Sequence, residues 1–423
     1  MVERLTVQRF GGVVATAILV AGCAAAPSPV PTIGATPIAT PAATSIATST
    51  PAPTVIPTAA GTAVPAGWHA APIQDWFATV QFDDVTWTGA RFVATVIGPG
   101  DGGGFADSAD GINWHLQASS AADWRPDQIA AGGSGIVAIG QVGDANASWF
   151  STDGLTWTPS RDAFRVPSLG TDAVFVQDVV ARGGGWLAIG SRDAGCAFDC
   201  ESDPIRAYIW TSTDGRTWTR EADQASLKGA GMAAVAAVGD GFVAAGVASS
   251  HAAIWTSSDA TTWSRVPDAP VFHDGVLANA ATGVATVGGT IAVVGSAYAQ
   301  DSCAPGAAAK LCPGARGWWS SDGKNWTKAA IDLPIDGQVF GATATPVGLL
   351  AVGPSGACLG GMWSSTDGRS WTCAATDPTF AGFGPYAAAA SSTIEVAVGL
   401  TSAGWDESGD LGMPGSIWVR ALP

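Results

Sequence analysis

The sequence predicts an all-β fold, a seven-bladed β-propeller closed by pairing an N-terminal strand with the C-terminal blade. Three observations carry that expectation. A turn ending in tryptophan occurs six times in the 423 residues, as SADGINW, STDGLTW, STDGRTW, SSDATTW, SSDGKNW and STDGRSW. A glycine-flanked apolar phrase recurs ahead of the turns, as in GSGIVAIG, GGGWLAIG, GDGFVAAG, GGTIAVVG and VGLLAVG. The two ends of the repeating region each hold a fragment of a unit, and the fragments complement one another.

The chain divides into three segments. Residues 1–22 read as a targeting peptide, with Arg4 and Arg9 ahead of the apolar run GGVVATAILV. That run is too short to span a bilayer. Val20-Ala21-Gly22-Cys23 resembles a bacterial lipobox, which implies lipid on Cys23 and an extracytoplasmic protein anchored to the bacterial cell membrane. The alternative is an ordinary signal peptide with an incidental cysteine. Residues 23–65 are almost entirely Ala, Pro, Thr, Ser, Val and Ile without charge. Such a stretch cannot build a core, and its prolines favour extended conformations, so it reads as a disordered tether. Residues 66–423 hold the repeats.

Aligned on Asp110, Asp153, Asp214, Asp259, Asp322 and Asp367, the turns are separated by 43, 61, 45, 63 and 45 residues. Trp114, Trp157, Trp218, Trp263, Trp326 and Trp371 close them, and Trp149, Trp210, Trp255, Trp318 and Trp363 precede five of them. Each unit reads as four short strands: an Ala/Val-rich strand, a Gly turn, a second apolar strand, a loop, a strand ending in Trp-x-Ser, the Asp turn, and a last strand from the closing Trp. Four strands in about 45 residues are the period of propeller blades. At the C-terminus GSIWVRALP matches a third strand through Trp418, and at the start GWHAAP matches a last strand through Trp68. Pairing the two makes a seventh blade and removes free sheet edges.

In the turn, glycine after Asp supplies positive φ in five of six copies, and the Asp and Ser oxygens accept backbone N–H groups. The motif resembles the Asp-box, S-x-D-x-G-x-T-W, in a form shortened by one spacer. The chain thus resembles bacterial lipoproteins with an Asp-box (sialidase-like, BNR-type) β-propeller. In those families the box is structural, and the resemblance implies that role for the six Asp and their tryptophans here.

A net charge of −16, from 35 acids against 19 bases, argues against a nucleic-acid partner. Cys196, Cys200, Cys303, Cys312, Cys358 and Cys373 form three sequence-local pairs, which in an exported protein read as disulfides. No metal site or cofactor is expected, and nothing calls for a second copy of the chain. The long connections SRDAGCAFDCESDPIRAY and SAYAQDSCAPGAAAKLCPGARG fall at the end opposite the Asp turns. The approaches to the innermost strands lie there too, and Trp76, Trp124, Arg125, Arg165, His273 and Tyr386 are the candidate ligand face. An aromatic-rich mouth with a few polar groups suits a glycan or a protein segment; the alternative is that these aromatics simply close the ring. Sialidase resemblance would imply an arginine trio, with Arg125, Arg165, Arg192, Arg206 and Arg316 as suppliers, and a Tyr nucleophile beside a Glu. Only Tyr208, Tyr298 and Tyr386 are tyrosines, and Phe164-Arg165-Val166-Pro167 matches the family's F-R-I-P motif in the wrong place. The expectation is therefore a non-catalytic binding or scaffold propeller. A sialidase-like hydrolase and an assembly factor for a membrane complex, a role known among related Asp-box propellers, stand as alternatives.

Overall fold

The computed structural model describes residues 67–98, 102–117, 123–161, 163–166, 174–192, 206–273, 278–299, 312–331, 337–355, 358–374, 380, 382–401 and 414–423. Cys23, the targeting and tether segments, Cys196, Cys200 and Cys303 lie outside these residues, as does the Cys312 side chain.

Seven sheets form the ring, antiparallel apart from the outermost strand of one blade. Their innermost strands are Gln81–Trp87, Trp124–Gly132, Val174–Arg182, Ala230–Val238, Ala278–Val287, Gly341–Thr345 and Phe383–Ala390, which number the blades 1 to 7. Each second strand is apolar and buried on both faces: Val93, Ala94, Val137, Ala138, Ile139, Ala244, Ala292, Val293, Val396 and Val398 are fully or almost fully inaccessible. A blade lies between two others, so its sheet has no solvent face, and an unbroken apolar run replaces the usual alternation. Trp149, Trp210, Trp255, Trp318 and Trp363 on the third strands are at most 1% exposed.

Closure follows the expected pairing. His69 pairs with Val419 and Ala70 with Trp418, and Ala71 N–H donates to the Ile417 carbonyl at 2.8 Å. Trp68 packs beside Phe380, Phe383 and Trp418, with the Arg420 guanidinium 5.0 Å above its ring. The closing strand is only His69–Ala70, shorter than the 66–73 stretch the sequence offers.

The Asp turns share one geometry. In the third blade Ser212 Oγ donates to Asp214 at 3.0 Å, and the same carboxylate oxygen accepts the N–H groups of Arg216 and Thr217 at 2.8 and 2.7 Å. Those backbone donors stabilise the charged form and hold the Asp214 carboxyl down at about 2. Gly111, Gly154, Gly215, Gly323 and Gly368 take φ between 69° and 73°, and Ala260 takes 68° in the one copy without glycine.

Two features differ from the sequence expectation. Much of the supposed long connection in blade 5 is strand: Ser296 pairs with Ala315 and Ala299 with Cys312, so the ladder continues into both flanks of the connection. Blade 6 gains a fifth strand, Ala330–Ile331, running parallel to Ser370–Cys373. Cys358 and Cys373 form a disulfide that ties the loop after Val352 to the same outer strand.

Candidate functional site: the axial cavity

The glycine that ends each apolar phrase builds the site. Gly140, Gly190, Gly246, Gly295 and Gly399 face Pro126, Val176, Met232, Ala281 and Pro385 on the innermost strands. A Cβ at these glycines would collide with the inner strand's carbonyl oxygen or backbone. That close approach coincides with a one-residue register shift in each of these five blades, and blade 1 has the same shift between Phe82 and Asp84. A bulge leaves one residue unpaired and redirects it. The residues so placed are Asp83, Asp127, Gln177, Ala233, Thr282 and Tyr386. In blade 6 Phe340 stands at the same level, its N–H bonded to Val352.

All seven innermost strands line one cavity of about 330 Å³ on the ring axis. Its lining is lopsided in charge. Blades 1 to 3 contribute Asp83, Asp84, Gln128, Gln177 and Asp178 beside Val85, Ile129 and Val180. Blades 4 to 7 contribute no carboxyl or amide side chain among the described residues; they bring small residues such as Ala233, Ala234 and Gly283, the hydroxyls of Thr282 and Thr343, and the pair Phe340–Tyr386, whose rings are 5.6 Å apart. The bulges lie near the starts of the innermost strands, so the polar arc faces the end carrying the connections between second and third strands.

Asp84 and Asp178 have a second role. Asp84 accepts the N–H groups of Val85 at 2.7 Å and of Ile129 in the next blade at 2.8 Å. Asp178 accepts Val179 and, from the next blade, Val235, both at 2.7 Å. Each carboxylate thus staples two innermost strands. Desolvation outweighs these donors and lifts both carboxyls to about 7. The Asp83 carboxyl is raised well above the usual range, first by burial and then by the charge of Asp127. Gln81 donates to one oxygen of Asp83 at 3.0 Å. Burial, with the charge of Asp83 behind it, raises the Tyr386 hydroxyl.

Of the residues named from sequence, Tyr386 lines the cavity and Arg125 stands beside its polar arc. Arg125 lies 3.8 Å from Asp127 and its charge opposes the rise at Asp83. Trp124 is 6% exposed and packs on Trp149 at 5.8 Å, so it serves the core between blades. Trp76 is half-buried over Phe77 and Phe82, its indole bonded to Gln74. Arg165 is exposed. His273 bonds Asp268 at 2.7 Å and stacks on His251 at 4.1 Å. Arg206 pairs with Asp223, and Arg316 donates to the Ala315 carbonyl. Asp83 is the carboxylate whose charge acts on Tyr386 among the described residues. No group of three or more His, Cys, Asp or Glu among the described residues could hold a metal ion.

Sequence reasoning passed over Asp83, Asp84, Gln128, Gln177 and Asp178. A signal was present: FDDV, PDQI and VQDV place polar pairs where MAAV stands in blade 4.

No protein-family model matches the chain, and no curated protein matches it in sequence. Solved structures do. One described as YCF48 bound to D1 peptide aligns at a TM-score of 0.51 and 15% identity, over 85% of this chain and 98% of that one. Virginiamycin B lyase from Staphylococcus aureus aligns at 0.52 and 7%, over 84% and 99%. The likeness is one of fold. At these identities activity and ligand do not transfer.

Proposed function

We propose that this is a non-catalytic binding propeller, displayed outside the cytoplasm on a lipid anchor at Cys23, which takes a segment of a partner protein into the axial cavity. The observation that carries the reading is the lopsided lining of that cavity. Carboxyl and amide groups from three consecutive blades converge on one side, and small, hydroxyl or aromatic residues form the other. A cavity that only had to be filled would not gather carboxylates and amides on three adjacent blades. The structural neighbour described as YCF48 bound to D1 peptide supports a protein segment over a glycan.

The test blocks the cavity from its open wall. Ala233→Trp fills the cavity from the blade 4 wall and leaves every residue of the polar arc unmutated. Binding to an array of short peptides should be present in the parent protein and lost in this variant, while both leave aryl sialosides and other aryl glycosides intact. Retained binding in Ala233→Trp, or turnover of an aryl glycoside, would overturn the reading.

A further inference from the structure

The cavity has two walls of different chemistry, and together they specify more than a generic segment. On one wall the Asp83 carboxylate bonds Gln81 through one oxygen only, and the Gln128 and Gln177 side chains line the space beside it. Asp84 and Asp178 add charge from the same side although their oxygens are committed to backbone N–H groups. The facing wall carries Ala233, Ala234, Gly283 and Thr343, with Thr282, whose hydroxyl bonds the Val339 carbonyl, and Phe340 and Tyr386 as an aromatic pair at its edge.

Charge decides the sign of the ligand. Asp83 feels Asp127 and Asp84, Asp84 feels Asp178, and Tyr386 feels Asp83; among the described residues the cation acting on Asp83 is Arg125, from blade 2. Asp83, Asp84 and Asp178 line the cavity, and no Lys or Arg is among the described residues that line it, so the arc is short of positive charge once they ionise. An anion would be repelled, and a neutral polar group would leave the mutual repulsion in place. A cation on an apolar stem answers both walls: the head sits against the carboxylates and the stem runs along the alanines, with the aromatic faces available to the cation.

We propose that the axial cavity receives a single ammonium or guanidinium head on an aliphatic stem, supplied as a lysine or arginine side chain by the bound protein segment. This rests on the preceding reading of the cavity as a peptide site and names the residue class it selects. Binding is linked to protons. Asp84 and Asp178, lifted by burial to about 7, gain charge as pH rises through that value, and a bound cation favours the ionised form, so affinity rises with pH.

The experiment uses the protein with two fluorescent pentapeptides, acetyl-Gly-Gly-Lys-Gly-Gly-amide and the same peptide with norleucine in place of lysine, and with cadaverine as a free amine. The lysine peptide should bind about tenfold or more tightly than the norleucine peptide, the difference one charge-assisted contact makes. Asp83→Asn should abolish that preference and Asp83→Glu should keep it, with thermal melts checking that both variants fold. The preference should be stronger at pH 8 than at pH 5.5. Equal binding of the two peptides, with both lost in Ala233→Trp, overturns the cation and leaves the cavity as a peptide site. No binding of either peptide overturns both readings. Cadaverine binding as tightly as the lysine peptide overturns the protein segment as the source of the cation.

Discussion

Replacing Asp84 with asparagine should flatten the pH dependence of stability between about pH 4 and 7. The carboxyl ordinarily titrates at 3.8 and is lifted to about 7 in the folded ring, chiefly by burial. Between those values the folded state holds a proton that the unfolded state has released, so stability falls as pH rises through the window and levels off above pH 7. The gap corresponds to about 4 kcal/mol at most for one such group. Asp178, lifted to the same value, contributes a second decline of the same sign. Asparagine presents one carbonyl oxygen where Asp84 presents two acceptors, so the N–H of Val85 or of Ile129 loses its partner at every pH, costing about 1 to 3 kcal/mol. The variant should therefore be less stable than the parent near pH 4.5 and draw level with it or overtake it near pH 7.5. Urea unfolding followed by tryptophan fluorescence at pH 4.5, 6 and 7.5 measures this directly. Parallel curves for parent and variant would show that Asp84 is not a buried acid with a raised titration point, and the electrostatic account of the cavity would fail with it.

Three other outcomes are expected. Ala260→Gly should raise stability by about 0.5 kcal/mol, since it relieves a left-handed backbone at φ 68° while adding chain entropy to the unfolded state; Gly215→Ala should cost about 2 kcal/mol, because its Cβ would stand 2.6 Å from Val137 Cγ2, and Gly323→Ala less, its nearest neighbour being 3.5 Å away. Cys358→Ser with Cys373→Ser should lower stability by about 2 to 3 kcal/mol in thermal melts, with reducing agent producing the same loss in the parent and none in the variant. Ala71→Pro removes the donor to the Ile417 carbonyl and should cost about 1 kcal/mol or more, with hydrogen exchange rising first at residues 415–421; unchanged exchange there would mean that the closing strand adds little to the seventh blade.

Repeats, turns and closure were legible in the amino-acid order because each rests on local chemistry. Gly215 after Asp214 states a positive φ, the carboxylate two residues from Ser212 states a hydrogen-bonded turn, and the fragments around Trp68 and Trp418 state that one blade is split between the chain ends. The apolar runs of the second strands showed burial on both faces without any tertiary information. The mouth aromatics were less informative: Trp124 has the composition of a binding residue, yet the neighbouring blade covers it.

The axial site depended on tertiary structure. Asp83, Gln128 and Asp178 come from separate blades, and each reads in its own strand as a polar interruption of an alanine- and valine-rich run. Only when glycines such as Gly140 and Gly190 let the innermost strands approach and bulge, and the ring sets blades 1 to 3 side by side, do these interruptions share one wall. Local sequence therefore determined the blade and the number of blades, because strand, turn and repeat are short-range. The chemistry of the axis was decided by the ring, because its electrostatics arise among side chains about 45 residues or more apart that only closure brings into one desolvated space.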